Sequence, residues 1–275
     1  MVEPLPEPAV QRHYDAADLE ALILSAVAPA DRSLARVQVD DLAALDQLHA
    51  GGKPATVALA RLADLRPGLA VLDVGGGLGG PARTLAAEFG CRVCVLDLTA
   101  TFCRVGARLT ERTGLDERVR FVRGSALTLP FPDATFDVVW TQHSTMNIAD
   151  KAGLYREARR VLRPGGLLVF HEVLAGRGGP PYYPAPWADD ASISFLARPE
   201  EVRSLVTGLG FVERAWLDVT ATTVEEMRRA RPASGPPHLL VLTRGAEMGT
   251  AILRNFRRSV EEGRVAVIQA VFERA

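Results

Sequence analysis

The stretch that most constrains this chain is residues 69–80, whose sequence is LAVLDVGGGLGG. Residues 69–72 are apolar without alternation, which is typical of a strand buried on both faces of a parallel sheet. The glycines allow a sharp turn and leave bare backbone against which a ligand can lie. Pro81 suits the first turn of a helix, and Gly90 suits its end. The stretch therefore predicts a strand, a ligand-binding glycine loop and a helix.

Two classes of cofactor fit this loop. Gly75, Gly77 and Gly80 match the G-x-G-x-x-G dinucleotide fingerprint, and Asp97 lies close to the spacing expected of the acid that binds the ribose. Residues 73–79 also resemble the D-x-G-x-G-x-G loop of class I S-adenosylmethionine (SAM)-dependent methyltransferases. The loop alone leaves both classes open.

Composition excludes several other classes of protein. The 275 residues are 48% apolar, enough to bury a large core in one domain or in one domain with a cap. A net charge of −1 gives no general field toward nucleic acid, and no apolar run approaches the roughly 20 residues of a membrane span. The start has acids and prolines but no basic region, so we expect an extended or disordered lead-in and no signal peptide.

The cysteines point to a reducing compartment. Cys91 and Cys94 have C-x-x-C spacing, but they fall in a predicted strand. Cys103 is the third cysteine, and no fourth metal ligand is obvious. We therefore interpret all three as free thiols, predict no metal site and expect a cytoplasmic protein.

Strands and helices alternate along the rest of the chain. Strands are predicted over residues 69–72, 92–96, 119–122, 136–140, 167–170, 211–219 and 265–272. This alternation predicts an α/β fold with a Rossmann-like, doubly wound, seven-stranded sheet that is mostly parallel and has an antiparallel last strand. Residues 238–242 have strand propensity. We nevertheless assign 237–261 mainly to helix, because the strong terminal strand would otherwise have no place.

The predicted organisation is a helical N-terminal cap over residues 1–55 and a cofactor-binding domain over residues 56–275. A break at Pro29 divides the cap, and a helical insertion spans about 222–262. Residues 175–199 are rich in glycine and proline, and a loop of this length within a compact domain is usually functional. We interpret this insertion as a lid over the substrate.

Several later stretches strengthen the resemblance to the methyltransferases. Asp97 stands where that family keeps the acid that binds both ribose hydroxyls. Residues 124–126 (GSA) followed by 129–131 (LPF) are similar to its adenine-binding turn. Residues 136–140 (FDVVW) and 160–166 (RVLRPGG) are similar to its paired later motifs. A dinucleotide reductase would need a second mononucleotide half in place of this pattern.

The resemblance covers about residues 60–174. Two stretches also point to a particular group within the family. Residues 140–151 (WTQHSTMNIADK) resemble sarcosine/dimethylglycine N-methyltransferases, and residues 13–19 (HYDAADL) are similar to that group and to other small-molecule methyltransferases. The resemblance implies SAM as methyl donor, S-adenosylhomocysteine as product and a small molecule as methyl acceptor.

The resemblance also implies a set of cofactor-binding residues. Asp97 would accept hydrogen bonds from the ribose diol, and Asp73 would either fix the loop or hold the ammonium group of the methionine moiety. Ser125 would frame the adenine, or it is a plain turn residue. The full set is Tyr14, Gly51, Asp73, Gly75, Gly77, Gly79, Asp97, Leu98, Ser125, Ala126, Gln142 and His143.

The catalytic candidates are His143 and Glu172. His143 could act as a general base, since the reference pKa of histidine is near 6.5, or it could orient the substrate or pack against SAM. Glu172 could meet a cationic acceptor or only anchor a neighbouring group through a hydrogen bond. The aromatic residues of the lid, Tyr182, Tyr183 and Trp187, could recognise a cation or simply pack within the lid. The candidates for acceptor contacts are Asn147, His171, Tyr182, Tyr183 and Trp187.

The sequence thus predicts methyl transfer from SAM to a small molecule, with an amine nitrogen slightly favoured. Oxygen or carbon of a natural-product acceptor is the alternative. A non-catalytic SAM-binding protein and a macromolecular substrate remain open. Neutral charge argues against nucleic acid and a membrane as partners. We expect a monomer or a homodimer.

Overall fold

The structure is a computed structural model, and it describes residues 7–15, 18–27, 37–229 and 238–275. The predicted break at Pro29 and most of the predicted lead-in lie outside the described residues.

A seven-stranded sheet forms the centre of the molecule, in the spatial order β3-β2-β1-β4-β5-β7-β6. Only β7 runs antiparallel to its neighbours β5 and β6, which confirms the predicted mostly parallel sheet with an antiparallel last strand. The fifth strand is longer than predicted. The strands are β1 (Ala70–Val74), β2 (Arg92–Asp97), β3 (Val119–Arg123), β4 (Phe136–Gln142), β5 (Leu162–Ala175), β6 (Phe211–Asp218) and β7 (Val265–Arg274).

Helices cover both faces of the sheet and its carboxyl edge. The segment at 238–242 is helical, as predicted, which leaves the terminal strand free to join the sheet. The helices are α1 (Glu7–Tyr14), α2 (Leu19–Val27), α3 (Val39–Asp46), α4 (Gly52–Leu62), α5 (Gly80–Phe89), α6 (Ala100–Thr113), α7 (Lys151–Val161), α8 (Pro199–Gly208), α9 (Thr220–Arg229), α10 (Leu239–Arg244) and α11 (Ala246–Glu261).

Apolar packing explains how these layers hold together. One core cluster joins β1 and β2 to α4 and α5, with Leu59 and Leu85 fully buried. A second cluster on the opposite face joins β4 and β5 to α7 and α8. Two further clusters attach the N-terminal helices, the lid segment and α11 to the carboxyl edge of the sheet. The material above this edge is therefore packed onto it. No helix in the described part of the chain is both long and apolar enough to cross a membrane.

Candidate active site

A cavity of about 390 Å³ lies at the carboxyl ends of β1, β2 and β4. Between β1 and β4 the strand order reverses, and open α/β sheets bind ligands in the crevice at such a point. The volume falls in the range of about 300–1,000 Å³ that is usual for small-molecule sites.

The glycine loop forms the floor of one half of this cavity. Gly75, Gly77 and Gly79 have φ of +71°, +55° and +77°, a left-handed conformation that favours glycine. The Gly77 N–H donates to Asp97 Oδ2 at 2.9 Å, and the Thr99 N–H donates to Oδ1 at 2.8 Å. Each carboxylate oxygen therefore keeps a lone pair for a ligand hydroxyl, as the ribose-binding role requires.

Asp73 lies beneath the same loop. It is buried, and its Oδ2 has no hydrogen-bond partner within the described residues. A Cβ atom at Gly76 would lie 2.5 Å from this oxygen, so the loop approaches Asp73 closely. Burial, and to a smaller extent the nearby Asp97 carboxylate, raises the pKa of Asp73 to about 8. The unpaired oxygen fits an ammonium group, which would supply both a hydrogen bond and a compensating charge.

The half of the cavity that contains the glycine loop is lined at its other end by Leu98, Ser125 and Ala126. Ser125 Oγ donates to Glu7 Oε1 at 2.5 Å and accepts from the Leu127 N–H at 3.1 Å. Glu7 thus reaches the predicted adenine position from α1, far away in the sequence. Sequence reasoning missed Glu7, because nothing near residue 7 indicates which surface α1 covers.

Gln142, at the end of β4, has a fixed side-chain orientation. Its Oε1 accepts from Trp140 Nε1 at 2.9 Å and from Thr56 Oγ1 at 3.2 Å, so Nε2 faces His171 Nδ1 at 3.5 Å. Because the indole N–H only donates, the amide oxygen must be the atom facing it.

Three histidine rings cluster beside Gln142. The ring centroids of His49, His143 and His171 lie 4.9–6.0 Å apart. Burial lowers the pKa of His49 to about 4 and that of His171 to about 3. Burial and its two histidine neighbours hold the pKa of His143 well below the usual value. All three rings are therefore neutral near pH 7.

His143 differs from the other two histidines in its backbone conformation. It lines the cavity together with His49, and its buried Nε2 has no hydrogen-bond partner in the described part of the chain. Its φ is +48°, a strained conformation for a residue with a Cβ atom, and its N–H donates to the His171 carbonyl at 2.9 Å. The turn after β4 thus holds an uncommitted imidazole at the cavity wall.

Glu172 lies behind this turn and does not line the cavity. Its carboxylate is fully buried and accepts from the Ser144 N–H at 3.1 Å and the Thr145 N–H at 3.2 Å. Burial raises its pKa. These contacts match the second of the two roles considered for Glu172, in which it anchors a neighbouring group through hydrogen bonds.

Asn147 joins the N-terminal helix to the lid. Its Oδ1 accepts from the Tyr14 hydroxyl at 2.9 Å, and its Nδ2 donates to the carbonyls of Trp187 and Ile193, both at 2.8 Å. Trp187 is buried and lines the cavity. Burial, with Asp97 and Glu172 adding smaller effects, raises the pKa of Tyr14, so its hydroxyl stays protonated.

Tyr182 lies away from the cavity. Its ring is flanked by the guanidinium groups of Arg258 and Arg264, 4.0 and 4.1 Å from the ring centroid, and its hydroxyl donates to Glu262 at 2.7 Å. Tyr183 packs against the core cluster of the lid and likewise does not line the cavity. Of the three lid aromatics, only Trp187 reaches the cavity.

Most of the residues predicted for the site come together around the cavity. Gly51 and Gly79 do not line it: they stand at the starts of α4 and α5, and a Cβ atom at Gly79 would lie 2.6 Å from Phe121 Cζ. His171 also lies outside the lining. The predicted residues that line the cavity are Tyr14, Asp73, Gly75, Gly77, Asp97, Leu98, Ser125, Ala126, Gln142, His143, Asn147 and Trp187.

Comparison with known proteins agrees with this geometry. Residues 72–170 match the family described as a methyltransferase domain. The chain is 32% identical to sarcosine/dimethylglycine N-methyltransferase of Halorhodospira halochloris, over 61% of this chain and 60% of that protein. It therefore spans less than two thirds of that relative. It is 30% identical to methyltransferase GfsG of Streptomyces halstedii, over 77% of this chain and 76% of the relative.

The fold has close counterparts among solved structures. Geranyl diphosphate C-methyltransferase from Streptomyces coelicolor superimposes with a TM-score of 0.69 at 20% identity, over 100% of both chains. The domain match, the extent of the likeness to GfsG and the glycine loop with Asp97 agree with one another. The chain belongs to the SAM-dependent methyltransferases.

Proposed function

We propose that this protein transfers a methyl group from SAM to a small-molecule acceptor. The observation that carries the proposal is the Asp97 carboxylate, which two backbone N–H groups hold in place inside the cavity. A carboxylate fixed in this way can accept from both hydroxyls of a ribose without reorganising.

The cavity residues divide among the parts of the donor. Asp97 would bind the ribose, Leu98 and Ala126 would flank the adenine, and the bare backbone at Gly77 would lie against the methionine moiety. Asp73 would receive the ammonium group. Bound SAM supplies a methyl group on a positively charged sulfur, and its transfer leaves a neutral thioether. The main task of the protein is to align the acceptor with that methyl group.

His143 is the residue that could take up the acceptor proton. A neutral hydroxyl, N–H or acidic C–H group loses one proton when it is methylated, and a neutral imidazole whose Nε2 has no hydrogen-bond partner among the described residues can receive it. Glu172 acts on this step only through the turn that it anchors, since its carboxylate lies outside the cavity lining.

Nitrogen, oxygen and carbon are all possible acceptor atoms for this fold. The similarity to an enzyme named as a sarcosine/dimethylglycine N-methyltransferase supports nitrogen. The likeness in fold to a neighbour named as a C-methyltransferase supports carbon as the alternative. The placement of Tyr182 and Tyr183 away from the cavity removes one argument for a cationic amine.

Two measurements test the proposal. Isothermal titration of S-adenosylhomocysteine into the purified protein should show stoichiometric binding. Incubation with methyl-labelled SAM and a panel of amines, phenols and acidic carbon compounds should place label on at least one of them, as measured by mass spectrometry. The absence of S-adenosylhomocysteine binding would refute the proposal. Binding without transfer to any compound would favour a non-catalytic SAM-binding protein.

A further inference from the structure

The part of the cavity that would hold SAM is lined by Asp73, Asp97 and Ser125, and we call it the donor half. The cavity continues beyond it into a chamber built by α9, α10, α11 and the lid. We call this part the acceptor chamber. Its walls are mainly apolar, with His238, Thr243 and Arg244 as the polar side chains from α10 and its start, and two of its rings, Trp187 and Phe256, meet edge to face with centroids 5.9 Å apart. The apolar residues of the acceptor chamber are Met146, Trp187, Met227, Leu239, Leu240, Ile252, Leu253 and Phe256.

Of the five carboxylates among the described lining residues, three have partners of their own and two lie at the glycine loop. Glu7 accepts from Ser125 Oγ, and Asp15 accepts from Thr101 Oγ1 at 2.7 Å. Asp46 forms a buried ion pair with Arg83 at 2.7 Å. The remaining two, Asp73 and Asp97, lie at the glycine loop in the donor half. The acceptor chamber thus offers no counter-charge to a cationic molecule within the described part of the chain.

The positive side chains of the lining are similarly occupied. Arg244 is the only arginine among the described lining residues, which include no lysine. Its guanidinium pairs with Asp189 and also donates to the His13 carbonyl at 3.5 Å. His13 has its two ring nitrogens near Asp189 and the Pro186 carbonyl, at 3.4 and 3.3 Å. A carboxylate or phosphate on the acceptor would therefore find no free cation in the described lining.

We infer that the methyl acceptor is an uncharged, predominantly apolar molecule. An ion in the acceptor chamber would lose its hydration without gaining a partner, whereas an apolar molecule gains free energy by leaving water. The positive charge of the donor adds to the cost for an ammonium group. The inference rests on the proposed function, because it names the class of acceptor for the same site.

A matched pair of probes separates the two classes. 2-(Hydroxymethyl)naphthalene and 2-(aminomethyl)naphthalene share one skeleton, but only the amine is charged at neutral pH. We expect the alcohol to bind the protein saturated with S-adenosylhomocysteine at least about tenfold more tightly than the amine, as measured by calorimetric titration. Sarcosine and dimethylglycine, which carry two charges each, should not compete with the alcohol.

One substitution supplies the charge that the acceptor chamber lacks. Leu253 on α11 lines the chamber, whereas Met248 on the same helix is 46% exposed and does not. Leu253→Glu should weaken binding of the alcohol at least about tenfold and improve binding of the amine. Met248→Glu, the matched control, should leave both affinities unchanged. Both variants should bind S-adenosylhomocysteine as the wild type does, which verifies that the donor half is intact.

The outcomes distinguish this inference from the proposed function. Failure of the wild type to bind S-adenosylhomocysteine would refute the proposed function. Normal binding of S-adenosylhomocysteine with no detectable binding of the alcohol, or with the amine bound as tightly as the alcohol, would overturn only the inference. Equal effects of the two glutamate substitutions would show that the probes bind outside the acceptor chamber, and would overturn it as well.

Discussion

Loss of the Asp97 carboxylate should weaken cofactor binding more than any other single truncation in the donor half. In the structure the carboxylate accepts from the Gly77 and Thr99 N–H groups, and both oxygens retain capacity for a ligand. Asp97→Ala removes the two proposed ribose contacts and leaves two backbone N–H groups without their acceptor. The variant therefore tests the ribose assignment and the anchoring of the loop together.

The size of the effect follows from the hydrogen bonds lost. A hydrogen bond to a charged group contributes about 1.5–3 kcal/mol, so the two ribose contacts together contribute about 3–6 kcal/mol. Since about 1.4 kcal/mol corresponds to a tenfold change in affinity, binding of S-adenosylhomocysteine should weaken at least about 100-fold. Calorimetric titration measures the affinity, and circular dichroism verifies that the variant is folded.

The matched control is Asp64→Ala, because the Asp64 side chain is 75% exposed and pairs with Arg66 on the surface, away from the cavity lining. Asp64→Ala should leave the affinity for S-adenosylhomocysteine unchanged. If folded Asp97→Ala protein bound this ligand within about threefold of the wild type, the assignment of Asp97 to the ribose would be refuted.

Three further predictions concern the glycine loop, Asp73 and His143. Gly77→Ala should weaken binding of S-adenosylhomocysteine at least about tenfold by calorimetry. Gly114→Ala, which carries similar strain at φ +69° outside the cavity, should lower stability by about 1–2 kcal/mol without changing the affinity. Burial raises the pKa of Asp73 to about 8 from 3.8, so the folded state binds the extra proton. The unfolding free energy of the wild type should therefore fall as the pH rises from about 4 to about 8, and urea titrations of Asp73→Asn should lack this part of the pH dependence. His143→Ala should lower kcat for methyl transfer by about 100-fold or more while the affinity for S-adenosylhomocysteine changes less; an unchanged kcat would exclude a role as base.

The sheet and the glycine loop are determined by residue patterns within short stretches of sequence. The sequence therefore predicts them well. The strand before Asp73, the left-handed glycines and the acid at the end of β2 lie within 30 residues of one another, and each has a backbone reason for its residue type. The placement of β7 needed only one further consideration. A strong terminal strand requires a neighbouring strand in the sheet. Once residues 238–242 are assigned to helix, the terminal strand can take the position beside the sixth strand.

The wall of the cavity was less predictable, because it depends on contacts between distant segments. Glu7 reaches Ser125 across 118 positions, and no pattern near either residue signals this pairing. Tyr182 shows the opposite failure, since an aromatic residue in a glycine-rich loop suggests a ligand contact. In the structure the guanidinium groups of Arg258 and Arg264 lie over its ring, and neither residue is near Tyr182 in the sequence.

The location of the acceptor chamber nevertheless follows from topology. β6 runs parallel to β1, so it ends at the carboxyl edge of the sheet, and the antiparallel β7 must begin at that same edge. Any insertion between β6 and β7 therefore leaves the sheet at the edge that also carries the glycine loop. Helices α9 to α11 form this insertion, which places Leu253 and Phe256 opposite the donor half. In the proposed function this insertion covers the acceptor, and the side chains on its inner face would select which acceptor is bound.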